Sequence, residues 1–188
     1  MLRAALIGFA LVLGVGLSAQ AKTAWQVDPA RSDVAFEYVK DGDPTEGTFR
    51  KFTGKGVFDA AAPEEARFEL QIQSSSIDLY DTLASAFATS AEWFDSKNHP
   101  DIIYVLRDLK AVGGEKYLAI GSITIRGKEQ PLRSELNLVV SGDGATAKGT
   151  LTIRRNDFLL GVGPSAAFVE IGPDVQVRFS LVARPDRF

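Results

Sequence analysis

Phe68-Glu69-Leu70-Gln71-Ile72-Gln73 alternates apolar and polar side chains without a fault. A period of two is the mark of a strand with one buried and one wet face. Moving outwards, Leu132-Arg133-Ser134-Glu135-Leu136-Asn137-Leu138 and Val175-Gln176-Val177-Arg178-Phe179-Ser180-Leu181 repeat the pattern. Val34-Ala35-Phe36-Glu37-Tyr38 places its larger apolar residues at every second position. Gly54–Phe58, Ile102–Leu106, Tyr117–Ile125 and Ala147–Ile153 read the same way, which brings the expected strands to about eight. Turn chemistry separates them at Asp41-Gly42-Asp43-Pro44, Ala62-Pro63-Glu64, Gly113-Gly114, Gly142-Asp143-Gly144 and Gly172-Pro173-Asp174. Asp81–Phe94 breaks the rhythm: it is rich in Ala, with Leu83, Phe87 and Trp93 near helical spacing, and predicts a short helix between strands.

Eight strands with one apolar face each hide those faces and their edges in a closed barrel or a two-sheet sandwich. A barrel of that size is just wide enough to be packed with side chains or to hold one small ligand. The inward set includes Gly54, Gly56, Ala119, Gly121, Ala147 and Gly149. Such small residues either leave room inside or let the sheet coil tightly, and the pattern alone leaves both readings open.

Composition removes whole classes of chemistry. The 188 residues include no cysteine and one histidine, His99. Disulfide frameworks, thiolate metal sites, cysteine nucleophiles and His-pair metal sites are therefore excluded. A net charge of −3, from 21 Lys+Arg against 24 Asp+Glu, offers no basic field for nucleic acid. No repeat or linker divides the chain after its first residues, which predicts one domain.

Those first residues predict an export signal over 1–21. Arg3 supplies the positive start, Ala4–Leu17 is apolar, and Ala19-Gln20-Ala21 has the small-x-small form of a cleavage site. About 14 apolar residues fall short of the roughly 18–20 that a spanning helix needs. The expected mature domain is 22–188, free of any anchor and placed in the bacterial periplasm, with secretion as the other destination.

Several short motifs, in order and spacing, resemble the YceI family of exported lipocalin-like proteins. They are Trp25-Gln26-Val27-Asp28-Pro29, Ser32-x-Val34-x-Phe36, Gly47-x-Phe49-x-x-Phe52-x-Gly54, Phe58-Asp59 and Ser76-Ile77-Asp78, then Trp93-Phe94-Asp95 and His99-Pro100. Gly121-x-Ile123-Thr124-Ile125-Arg126-Gly127 with Pro131, and Gly149–Phe158 ending in Arg155-x-Asp157-Phe158, complete the likeness over Trp25–Ala183. The resemblance implies an all-β, eight-stranded antiparallel lipocalin-like barrel with a short helical insertion. It also implies an interior pocket for an amphiphile with an isoprenoid or fatty tail, such as a polyprenyl phosphate or quinone, and homodimers among its members. Two departures stand out. Ala84–Ala88 carries none of the charge or histidine that many members have there, and Leu159 replaces the usual glycine after Asp-Phe.

The expected tail-binding aromatics are Phe36, Tyr38, Phe49, Phe52, Phe58, Phe87, Trp93, Phe94, Tyr104, Phe158 and Phe179, with Phe168 in the same reservoir. Leu70, Ile72, Ile123, Leu136 and Leu138 supply aliphatic wall. Each of these also reads as ordinary core. Arg155 and Asp157 share a side if their strand persists, so Arg155 either holds a headgroup oxygen or pairs with Asp157. Arg126 and Lys128 read as solvated, and His99 before Pro100 as a loop residue.

Catalysis has little support. Asp78, Asp81 and Asp95 lack a partner base and read as caps and turns, and Ser74-Ser75-Ser76 lacks a histidine or a nucleophile elbow. An outer-membrane barrel is disfavoured by Pro185, Asp186 and Arg187 near the end and by runs shorter than the usual 9–11 residues. The expected function is lipid binding, transport or storage without catalysis, metal, resident cofactor, nucleic acid or membrane insertion. The alternative is a stress-linked interaction module with a packed barrel and no ligand.

Overall fold

The computed structural model describes residues 23–142, 144–164 and 168–186. The expected signal, 1–21, lies outside the described residues. Eleven strand segments form one antiparallel sheet: β1 (Thr23–Val27), β2 (Asp33–Lys40), β3 (Asp43–Phe49), β4 (Phe52–Phe58), β5 (Arg67–Gln73), β6 (Ile77–Asp78), β7 (Asp101–Gly113), β8 (Lys116–Ile125), β9 (Lys128–Ser141), β10 (Gly144–Arg154) and β11 (Ile171–Pro185). One α-helix, α1 (Thr82–Ala88), lies among the described residues.

Three pairs of segments are successive parts of one kinked strand, so eleven segments make eight strands. β1 and β2 both pair with β11; β4 pairs with β1 while β3 pairs with β2; β5 pairs with β4 while β6 pairs with β3. The chain then runs β7 to β11 as an antiparallel meander, and β11 closes on β1 and β2. Each of the eight predicted strands falls in a different strand of this barrel.

The kinks are stapled. At Asp28–Ser32 the Asp28 amide donates to the Val182 carbonyl at 2.8 Å, and the Ser32 hydroxyl accepts the Val182 amide at 2.9 Å. At Arg50-Lys51 the Ser76 carbonyl takes the Arg50 amide at 3.0 Å, and the Ser76 hydroxyl takes the Lys51 amide at 3.1 Å.

Three expectations need correction. The helix is seven residues long and does not reach Phe94. Asp81 caps its start, accepting the Ala84 amide at 2.7 Å, and Ser90 ends the region by accepting the amides of Trp93 and Asp95. Gly172-Pro173-Asp174 is not a turn: it lies inside β11 at an irregularity between Ile171 and Val175, where Pro173 has no N–H to offer the ladder. β7 continues past Leu106 to Gly113 through a bulge at Leu106/Asp108. The extra residue restores the inward aim, so that Leu106 and Leu109 are both buried.

β7 to β11 span 10–15 residues, longer than the expected runs and long enough for a membrane barrel. Their polarity is the reverse of one. Outward positions such as Arg133, Glu135, Lys148, Gln176 and Arg178 are exposed and polar, and the apolar alternates face in.

Candidate functional site

The interior divides into a packed end and a hollow end. At the packed end, Phe36 lies 5.4 Å from Phe49 between ring centroids, and Phe49 meets Phe94 edge-on at 5.8 Å. Phe52 and Phe158 are buried in the same cluster, with Tyr38, Trp93 and Phe94 half-buried against it. Phe87 on α1 leans on Trp93 at 6.2 Å while remaining 44% exposed.

Toward the β7–β8 and β9–β10 hairpins the barrel is hollow, with a cavity of about 180 Å³. Its wall is built by the inward parity of successive strands. Phe68, Leu70 and Ile72 come from β5; Leu132, Ser134, Leu136 and Leu138 from β9; and Val177, Phe179, Leu181 and Ala183 from β11. Trp25, Val27, Val34, Phe58, Tyr104, Leu106, Leu109 and Ile123 complete most of the remainder.

The small residues split between the two readings left open above. Ala145 and Ala147 line the cavity and leave space. Several glycines serve close packing: a Cβ on Gly149 would sit 2.6 Å from the Phe179 ring, and one on Gly121 would strike the Val105 carbonyl.

The cavity therefore touches Phe58, Leu70, Ile72, Tyr104, Ile123, Leu136, Leu138 and Phe179 of the expected set. Phe36, Tyr38, Phe49, Phe52, Phe87, Trp93, Phe94 and Phe158 do not line it; they pack on one another at the other end of a core that the wall residues Leu70, Ile72, Tyr104, Ile123 and Phe179 also join. Phe168 is 86% exposed and belongs to neither. Trp25, Phe68, Ser134, Val177 and Leu181 were missed, although the parity of β5, β9 and β11 marks four of them directly.

Arg155 is elsewhere as well. The strand ends at Arg154 and a 3₁₀ turn spans Arg155–Phe158, so Arg155 and Asp157 do not share a strand face. The Arg155 guanidinium donates to the carbonyls of Gly172 at 2.9 Å, Ile171 at 2.7 Å and Leu160 at 2.7 Å, and lies 5.9 Å from the Trp93 ring centre. Desolvation lowers its pKa, yet an arginine stays charged throughout the physiological range. It ties the packed end together. Arg126 is not free either: it donates to the carbonyls of Leu159 and Ala91.

The arginine beside the cavity is Arg67. It is exposed, on the face of β5 opposite to Phe68, Leu70 and Ile72, and its Nη1 donates to the carbonyls of Ala66 at 2.6 Å and Glu64 at 3.1 Å. Two wall residues carry hydroxyls. Tyr104 is buried enough that desolvation pushes its phenol up to about 12, and Ser134 is 8% exposed. The Trp25 indole N–H is buried with no partner among the described residues.

The carboxylates weighed as catalytic act as caps and turns. Asp78 accepts the Tyr80 amide at 2.8 Å and pairs with Arg50 at 2.9 Å, which together lower its pKa. Asp95 accepts from the Asn98 amide at 3.0 Å. Ser74 Oγ lies 2.8 Å from the His99 carbonyl, where it pins the loop before β7.

Comparison with known proteins agrees with this geometry. BcnA of Burkholderia cenocepacia is 32% identical, with a TM-score of 0.76 over 83% of this chain and 98% of that one. A polyisoprenoid-binding domain from Saccharophagus degradans, implicated in plant cell wall breakdown, is 17% identical with a TM-score of 0.72, covering 87% of this chain and 99% of that one. A UPF0312 protein of Pectobacterium carotovorum is 26% identical over 133 residues, 66% of this chain and 69% of its own. The family model for the YceI-like domain matches residues 25–183. An eight-stranded barrel, hollow at one end and matched by that model over nearly all of its described length, places the chain in the YceI-like family.

Proposed function

We propose that the protein binds an amphiphile with an isoprenoid or fatty tail, holding the tail in the hollow end with the headgroup at Arg67, and that it does so in the periplasm as a carrier or store. The observation that supports this most is the cavity itself, a wall of aliphatic and aromatic side chains with one cation at its edge. The fold shared with a polyisoprenoid-binding domain supports it further. The cavity also opposes the alternative of a barrel packed throughout.

Burial of apolar surface is enough to drive such binding. At roughly 0.8 kcal/mol per methylene, a five-carbon isoprene unit contributes about 4 kcal/mol before the costs of association. Three or more units, roughly 12 kcal/mol, support micromolar affinity, which needs about 8 kcal/mol after about 4 kcal/mol of association cost. The volume of about 180 Å³ is smaller than the roughly 300–1,000 Å³ of ordinary ligand pockets. A longer tail therefore protrudes past the hairpins or displaces aromatics of the packed end. The guanidinium of Arg67, at the rim where β5 begins, suits a phosphate or carbonyl oxygen of a headgroup that emerges from the cavity. No step in this function breaks a covalent bond.

Trp25 reports occupancy directly because it lines the cavity, whereas Trp93 sits at the other end. Titration of a Trp93→Phe variant with farnesyl phosphate is expected to change Trp25 fluorescence saturably, and Arg67→Ala to weaken binding about tenfold, as for loss of one charged hydrogen bond. Fluorescence that stays flat at solubility-limited ligand counts against the proposal.

A further inference from the structure

The cavity wall keeps polar groups that the protein does not satisfy. Tyr104 on β7 and Ser134 on β9 both line it, and neither hydroxyl has a hydrogen-bond partner among the described residues. The Trp25 indole N–H, on β1, is a third unmet donor in the same wall. For the Trp25 indole, burial without a partner is costly; the Tyr104 and Ser134 hydroxyls are not fully enclosed and border the cavity space, where Phe or Ala would present no polar group at all. Nor does ionisation relieve Tyr104: with its phenol pushed up to about 12, it remains a neutral donor at physiological pH.

The two residues start from different depths of the wall. Tyr104 pairs with Ile123 of β8, and Ser134 pairs with Ala119 of the same strand. Those partners are four residues apart, about 13 Å along β8 at ~3.3 Å per residue. β8 starts at the β7–β8 hairpin, so Ser134 lies nearer the hollow end and Tyr104 nearer the aromatic floor. Arg67 is the sole charged residue of the described wall, and it is exposed. An anion at Tyr104 would meet no charged residue of the described wall other than the exposed Arg67.

We infer that the buried part of the guest carries uncharged oxygen acceptors, carbonyl or ether oxygens taken up by the hydroxyls of Tyr104 and Ser134, so that the cavity discriminates an oxygenated apolar molecule from a plain hydrocarbon. This rests on the proposal that the cavity is a lipid site. The guest is thus not simply a tail in a greasy sleeve: at least one of its oxygens travels inside, while any charged group stays at Arg67.

The test measures competition by methyl nonyl ketone and by undecane against a bound fluorescent phenylnaphthylamine, in the wild type, Tyr104→Phe and Ser134→Ala. Both variants nearly preserve volume and remove only a hydroxyl. The ratio of ketone to alkane affinity is expected to fall about 3- to 10-fold in each variant, the worth of one hydrogen bond, with undecane affinity unchanged. A ratio that stays the same in both variants overturns the inference while the lipid site stands. A wild-type protein that takes up neither the fluorescent probe nor either competitor overturns the lipid site, and the inference falls with it. Should Tyr104→Phe fail to fold, Ser134→Ala decides by the same ratio.

Discussion

Leu159 shows how a single departure from the family pattern is absorbed. The residue sits at φ 57° and ψ 32°, left-handed geometry that closes the turn after Phe158 and that glycine adopts without penalty. The leucine side chain is 44% exposed and recovers little by burial. Leu159→Gly is expected to stabilise the protein by up to about 1 kcal/mol in urea unfolding; a lower midpoint would show that its partial packing outweighs the strain. Arg155 carries more weight, since its guanidinium satisfies the Leu160 carbonyl just after its own turn and the Ile171 and Gly172 carbonyls at the start of β11. Arg155→Ala should cost about 2–4 kcal/mol by leaving those acceptors unmet, while the folded fraction retains its lipid affinity. A variant of normal stability with lost affinity would restore Arg155 to the headgroup.

Tyr104 also links burial to pH. Its phenol is raised from 10.0 to about 12, so the folded state holds the proton more tightly than the unfolded chain does. Its contribution is fully present below pH 10 and is lost as pH rises toward about 12, an effect of about 2–3 kcal/mol. Alkaline denaturation should therefore be shallower in Tyr104→Phe than in the wild type, and superimposable profiles would contradict the burial.

At the scale of elements, the barrel strands were legible because a half-buried strand repeats every two residues whatever its length. The short segments β1, β3 and β6 were not, because kinks at Asp28–Ser32, Arg50-Lys51 and Ser74–Ser76 divide what the sheet treats as single strands. The site was legible in part. Parity identifies wall positions on β5, β9 and β11, yet it does not say which end of the barrel is filled. The expectation favoured aromatics for a tail, and many of them gather instead at the packed end, where tilted and edge-on ring pairs such as Phe36–Phe49 and Phe49–Phe94 gain from contact with one another. Arg155 was misplaced because nothing in its alternation signals that the strand stops one residue earlier.

The two ends are expected to respond differently to substitution. Phe49→Ala should destabilise the protein by about 3–5 kcal/mol through a cavity in the packed cluster, with lipid affinity of the folded protein changed little. Ala147→Phe should do the reverse, filling the hollow end and abolishing uptake at a cost of about 1–3 kcal/mol in overpacking. Equal effects of both on lipid affinity would mean that the guest spans the barrel from end to end.

For the whole molecule, the absence of cysteine and the single histidine take on a positive meaning beside the architecture. A sheet closed on itself has no free barrel edge to protect and needs no covalent staple. Charge lies on its outer face, and apolar surface is spent inside, where one part packs on itself and another surrounds a cavity. The central claim is that this cavity holds a lipid. Mass spectrometry of an organic extract of the natively purified protein, quantified per mole of chain, tests it most directly. An isoprenoid- or fatty-tailed lipid near one per chain, absent from the extract of Ala147→Phe, is the predicted result; extracts free of lipid from the wild type, or equal amounts from both proteins, would contradict it.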